Sequence, residues 1–127
     1  MSGYVKQRFS DLADGGYRDW HRTLGSDLPA TDVDFVEYDA RRPVALFEIK
    51  HQNVGGVRRD DANIETLIRL AEPRNSELPL FICFHDDDLS DFLVRGVNRA
   101  GVQRLGASSR VPMSESVYIN FLRGLRK

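Results

Sequence analysis

Residues 31–51 read TDVDFVEYDARRPVALFEIKH, and they decide the fold. Val33, Phe35, Val36 and Tyr38 are the β-branched and aromatic types that strands favour. Asp39-Ala40-Arg41-Arg42-Pro43 supplies a turn, and Val44 to Ile49 is a second apolar run. So short a connection predicts an antiparallel hairpin. Side chains alternate across a strand, so Asp32 and Asp34 are expected on one face of the first strand. Glu48 and Lys50 likewise share a face of the second, opposite Phe47 and Ile49. Pairing of the strands then brings four ionisable groups together. Glu48 and Lys50 interrupt an apolar run, and burying them there is costly unless they pair or hold a metal.

Upstream, Tyr4 to about Ala13 reads as a short helix closed by Gly15-Gly16. Tyr17 to Leu24 adds a further turn before the loop Gly25 to Ala30. Downstream, Val54 to Arg59 is a glycine-containing loop, after which Asp60 or Asp61 caps a helix that Pro73 stops. Its apolar residues Ile64, Leu67, Ile68 and Ala71 have i, i+3, i+4, i+7 spacing. Leu78 to Phe84 is nearly all apolar, as a strand buried on both faces would be. After an acidic turn, Phe92 to Val97 reads as another strand. Pro112 and Ser114 open a final helix in which Val117, Phe121, Leu122 and Leu125 share a face. The expected order is α-β-β-α-β-β-α, a mixed α/β fold. At 127 residues the chain is long enough for one domain, residues 1–127, and too short for two.

Composition narrows the class. With 41% hydrophobic and 29% charged residues, the chain is neither a disordered tail nor a collagen-like or disulfide-stapled scaffold. No run approaches the roughly 18 apolar residues of a membrane span, and MSGYVKQRFS lacks the apolar core of a signal peptide. The single cysteine, Cys83, cannot form an internal disulfide, which points to a reduced, cytoplasmic protein with no membrane partner. The absence of CxxC pairs and Cys/His clusters argues against structural zinc. Charge is uneven: residues 1–94 hold 11 Lys/Arg against 18 Asp/Glu. Residues 95–127 hold Arg95, Arg99, Arg104, Arg110, Arg123, Arg126 and Lys127 against Glu115 alone. An arginine-rich quarter of this kind suits a polyanionic partner, or equally a solvated face.

The chemistry lies in the hairpin. Two carboxylates on adjacent strands make a hard-oxygen site suited to Mg²⁺ or Mn²⁺, which the backbone carbonyl of Ile49 can complete. Such an ion polarises a phosphodiester and acidifies a water nucleophile. Lys50 beside it would position that water or stabilise charge on the scissile phosphate. The triplet Asp86-Asp87-Asp88 lacks the alternating spacing and the glycine of a calcium loop and reads as an exposed turn. Cys83 reads as a core thiol. Ser108-Ser109 fits neither a nucleophile elbow nor a phosphate loop.

Asp34 followed after 13 residues by Glu48-Ile49-Lys50 resembles the PD-(D/E)xK phosphodiesterase superfamily, the restriction-endonuclease-like fold. There an Asp opens the second core strand and the (D/E)xK motif lies on the third, after a hairpin. The α-β-β-α-β order over residues 4–85 resembles its common core, although no proline precedes Asp34. The pieces Tyr17-Arg18-Asp19-Trp20-His21-Arg22, Asp32 to Tyr38 and Val44 to Lys50 are similar to those of a group of small bacterial and phage proteins.

The resemblance implies a metal-dependent nuclease with Asp34 and Glu48 as metal ligands, Lys50 as the catalytic cation and Asp32 as an auxiliary carboxylate or ligand of a second metal; the spacing by itself leaves Asp32 and Asp34 both open as the first ligand. It implies DNA as substrate, with branched or end structures favoured over sequence, and a homodimer where both strands are cut. Asp19 and His21 become candidates to approach the metal, and Arg18, Arg22, Gln52, Arg58 and Arg59 candidates for phosphate contacts. Plainer readings stand beside these: Trp20 packing into a core with its neighbours solvated, and Arg58 and Arg59 in a solvated loop; His51, which points away from Lys50, reads as a surface residue rather than a base. A second class of function is a non-catalytic nuclease-fold binding or structural protein, such as a phage accessory factor, in which the acids and Lys50 form an ion-pair network. A phosphodiesterase acting on RNA or a small molecule is a third.

Overall fold

The computed structural model describes residues 16–17, 19–31, 33–52, 62–72 and 77–127. The chain forms two compact units, residues 1–30 and residues 31–127. The helix expected over residues 4–13, the loop over 54–59, the capping Asp60 or Asp61 and the stop at Pro73 lie outside the described residues. In the first unit, residues 16–17 and 19–22 are helical. The Thr23 amide and hydroxyl close the turn on the Trp20 carbonyl, at 3.0 and 2.7 Å. Trp20 is half exposed rather than buried in a core and packs on Tyr17, with ring centroids 5.3 Å apart.

The second unit is a five-stranded mixed sheet flanked by helices. In chain order its elements are β1 (Phe35–Asp39), β2 (Arg42–His51), α1 (Ala62–Leu70), β3 (Leu80–His85), β4 (Asp91–Gly96), α2 (Arg99–Leu105), β5 (Val111–Ser114) and α3 (Glu115–Gly124). The strands lie side by side in chain order. β2 and β3 are parallel, joined through α1, and every other neighbouring pair is antiparallel. The β1–β2 hairpin closes on Ala40 and Arg41, both with positive φ (50° and 72°), the backbone of a two-residue primed turn. Register slips at Val44, which has no partner between Glu37↔Ala45 and Tyr38↔Pro43. This bulge puts Val44 and Ala45 against the same core.

Two cores follow from the alternation. On one face Leu46, Leu80, Ile82 and Phe84 meet Ile64, Leu67, Ile68 and Ala71 of and just after α1. On the other Ala45, Phe47, Phe81, Cys83, Phe92 and Val94 meet Tyr118, Phe121 and Leu122 of α3. The i, i+3, i+4, i+7 reading of α1 and the twice-buried reading of β3 both hold.

Two elements went unread and one was misplaced. α2 and β5 make the order of the second unit β-β-α-β-β-α-β-α. Pro112 lies in β5 rather than opening the last helix; it is tolerated because β5 is an edge strand, where a missing N–H costs no ladder bond. Ser114 is the N-cap, its hydroxyl accepting from the Val117 amide at 3.3 Å. Val117 is exposed, and Tyr118 takes the inward position assigned to it.

α2 is pinned by Asn98, a buried polar side chain. Its Oδ1 accepts from the Leu80 amide at 3.0 Å and the Gly101 amide at 2.8 Å, and its Nδ2 donates to the Leu78 carbonyl at 2.8 Å. Gly101 lies against β3: a Cβ there would sit 2.4 Å from the Leu80 carbonyl oxygen. Asn98→Ala removes the cap and strands two buried backbone groups, so it should cost about 3 kcal/mol in urea denaturation. A loss under about 1 kcal/mol would mean that water or a shifted backbone replaces the amide.

Candidate functional site

The site grows from the C-terminal half of β2. Phe47 and Ile49 turn into the α3 core, so Glu48 and Lys50 follow Leu46 on the opposite face. Parallel pairing sets Glu48 beside Ile82 and Lys50 beside Phe84. The two charges meet there: Lys50 Nζ lies 3.3 Å from Glu48 Oε2, with side chains 32% and 14% exposed. Glu48 Oε1 is shielded from solvent. Pairing is what makes two charges tolerable on so apolar a strand.

Asp34 arrives differently from the expectation. β1 starts only at Phe35, so Asp34 lies on the bend before it and is exposed, not on a strand face. The last β1–β2 pair is Phe35↔Phe47, which leaves the Ile49 amide without a β1 partner. Asp34 Oδ2 accepts that amide at 2.7 Å. A short carboxylate thus replaces the ladder bond and ends the strand. In a strand the N–H and C=O of one residue leave by the same edge, so the Ile49 carbonyl also faces the edge where Asp34 docks. Asp34 is therefore docked at the backbone of Ile49, the residue between Glu48 and Lys50.

This donor set suits a hard cation. Asp34 and Glu48 offer carboxylate oxygens and Ile49 a carbonyl. Among the described residues no group of three or more His, Cys, Asp or Glu is placed to hold a metal. Mg²⁺ is commonly held by one or two carboxylates, with water and substrate phosphate in the remaining positions.

The other expected residues scatter. Asp32, Arg18, Arg58 and Arg59 lie outside the described residues. Arg22 and Asp19 pair with each other at 3.8 Å within the 1–30 unit, where His21 lies near the Tyr17 ring. The Gln52 amide donates to the His85 carbonyl at 2.8 Å. Gln52 also borders an open depression of about 380 Å³ with Phe84, Leu93, Pro112, Ser114 and Asp91. That depression lies on the sheet face of Lys50, the face expected for Gln52.

His51 is half-buried on the opposite face, bonded to Asp87 and edge-on to His85. The Asp86 carboxylate caps its own turn, accepting the Ser90 amide and hydroxyl, both at 2.9 Å. These bonds, the Ser90 amide foremost, hold its pKa below the usual carboxylate value. The acidic triplet is a turn, as read. Cys83 is buried, and burial raises its pKa against an opposing hydrogen bond from Tyr118.

One residue escaped the sequence reading. Arg110, noted only as part of a basic quarter, places its guanidinium carbon 4.2 Å from the Phe84 ring centroid. Nothing local signals this, because it depends on the pairing of β5 with β4.

No family model matches the chain, and no curated protein or solved structure is detectably similar to it. No helix among the described residues is long and apolar enough to cross a membrane.

The Asp34 cap separates shape from charge. Asp34→Asn keeps an acceptor for the Ile49 amide, whereas Asp34→Ala removes it. In urea denaturation the alanine variant should lose about 1 kcal/mol and the asparagine variant only a few tenths. Equal losses would mean that the amide bond is not what holds Asp34 to β2.

Proposed function

We propose that this chain is a cytoplasmic, metal-dependent phosphodiesterase with a restriction-endonuclease-like core, hydrolysing DNA and acting as a homodimer where both strands are cut. The observation that carries the reading is the docking of Asp34 on the Ile49 amide at 2.7 Å, beside Glu48 and Lys50 on the same strand end. An acid at the start of one strand and a Glu-x-Lys on its hairpin partner resembles the pattern of the PD-(D/E)xK superfamily, although Asp34 lies one residue before β1. The mixed sheet with a helical crossover after that motif is compatible with it.

In this reading Asp34 and Glu48 hold Mg²⁺ or Mn²⁺ with the Ile49 carbonyl. The ion supplies electrophilic polarisation of the phosphodiester and a more acidic water. The remaining work falls to the chain. Lys50, already drawn toward Glu48, keeps two further N–H donors with which to orient a water or neutralise phosphate charge. Glu48 can serve both, since a carboxylate has about four lone-pair sites. Ile49 anchors the strand end through the α3 core, so the motif is held in a fixed geometry. Water oxygen adds to phosphorus and gives up a proton to solvent, one P–O ester bond breaks, and the departing oxygen takes a proton from solvent to become a hydroxyl.

One observation favours a second reading. Glu48 and Lys50 already pair at 3.3 Å, and Asp34 already has a backbone donor. Such internal satisfaction suits a non-catalytic binding or structural module as well. The test is incubation of the purified chain with Mg²⁺ or Mn²⁺ and labelled linear, flapped and four-way-junction DNA. Lys50→Ala should lower metal-dependent cutting by roughly 100-fold or more. Asp34→Asn and Glu48→Gln should abolish the calorimetric heat of Mn²⁺ binding. Neither cutting nor Mn²⁺ heat in the unmodified protein would establish the second reading instead.

A further inference from the structure

The face of the sheet that carries Glu48 and Lys50 continues across β3, β4 and β5. Strand register places Lys50 beside Phe84, Phe84 beside Leu93 and Leu93 beside Pro112. Arg95 lies one row back, beside Ile82, on the same face. Arg110 immediately precedes β5, and its guanidinium is stacked over Phe84, the ring adjacent to Lys50. Phe84 thus has one cation over its ring and a second, Lys50, as its strand neighbour.

Three other bases of the C-terminal quarter are held by partners in their own chain. Arg126 donates to Glu37 at 2.7 Å and to the Leu122 carbonyl at 2.8 Å. Arg104 donates to the Gly124 carbonyl at 2.6 Å, and Arg99 lies 3.7 Å from Glu77. Arg110 differs: it is exposed, and among the described residues its contact is the Phe84 ring. Stacking fixes the plane of a guanidinium and leaves its N–H edge open, the arrangement that suits bidentate contact with a phosphate.

We propose that Arg110, held by Phe84, is a phosphate-binding residue that grips the DNA backbone beside the Glu48–Lys50 site. This rests on the nuclease reading for the identity of the polyanion, and it gives the catalytic strand end a strand-positioning partner. The row Lys50–Phe84–Arg110 would track the backbone, and the adjoining depression bordered by Gln52 and Pro112 would lie along its path. Asp91 on the same rim sets an acidic boundary that steers phosphates toward the arginine.

The test uses the full chain and labelled duplex and flapped DNA, with binding followed by fluorescence anisotropy in EDTA over a salt series. Arg110→Ala should weaken binding about 10-fold and reduce the salt slope by about one. Arg110→Lys should keep the slope and recover only part of the affinity, because it keeps charge without the planar fork. Arg123→Ala removes the same charge from α3, which packs on the opposite face, and should change binding less than about twofold.

Binding by Arg110→Ala equal to that of the unmodified protein, or an equal loss in Arg123→Ala, would overturn the proposal. Cleavage assays on the same proteins separate it from the nuclease reading. Cutting that needs Lys50 but not Arg110 removes the grip and keeps the nuclease. Arg110-dependent binding without cutting keeps the grip and removes the nuclease. Neither binding nor cutting removes both.

Discussion

β3 pairs in parallel with β2 and antiparallel with β4, and Leu80 to Phe84 are buried on both faces. A strand occupied on both edges and both faces has no freedom of register, because a one-residue slip would exchange its two cores. The parallel neighbour demands a crossover, which α1 supplies while covering one face, and α3 must cover the other. The same register carries the site. With Leu46 beside Leu80, Glu48 and Lys50 fall at the far end of the α1-facing row, next to Ile82 and Phe84. Had β2 slipped by one, Phe47 and Ile49 would occupy that row and the two charges would enter the α3 core.

The elements legible in the sequence were those whose signal is local. The hairpin was written in two β-branched runs around a five-residue turn, α1 in the spacing of Ile64, Leu67, Ile68 and Ala71, and β3 in an unbroken apolar run. α2 and β5 were illegible for a different reason. α2 has only seven residues and a glycine inside it, so its periodicity is too brief to register. Its capping signals, Asn98 before and Gly106 (φ 80°) after, were present but carry little weight around so short a run. β5 contains Pro112, which in sequence argues for a helix start and is explained only by an edge position that the sequence does not display.

The site divides in the same way. That Glu48 and Lys50 share a face follows from alternation alone, and they do. The position of Asp34 could not follow from alternation, because the residue is not in the strand. Its carboxylate takes the place of a backbone partner at the Ile49 amide, a side-chain substitution for a ladder bond that no periodicity predicts. The outcome still brings it to the motif, for a reason tied to the hairpin. Where the shorter strand ends, the longer one is left with a donor at its edge, and an acid one residue upstream is the nearest group able to satisfy it.

The uneven charge of the chain acquires a spatial meaning from this arrangement. The acids proposed as metal ligands, Asp34 and Glu48, lie toward the end of the hairpin, and by themselves they would repel a phosphate. Lys50 offsets part of that charge at 3.3 Å from Glu48. The arginines of the last quarter could offset the rest only if the sheet carries one of them across three strands. β5 does so by pairing with β4, which sets the exposed Arg110 over the Phe84 ring. A stacked guanidinium loses less side-chain freedom on binding than a free one. Phe84, part of the α1 core and strand neighbour of Lys50, therefore doubles as the support for a cation. An element invisible in sequence, the edge strand with its proline, thereby bears on whether the legible motif can face a polyanion at all.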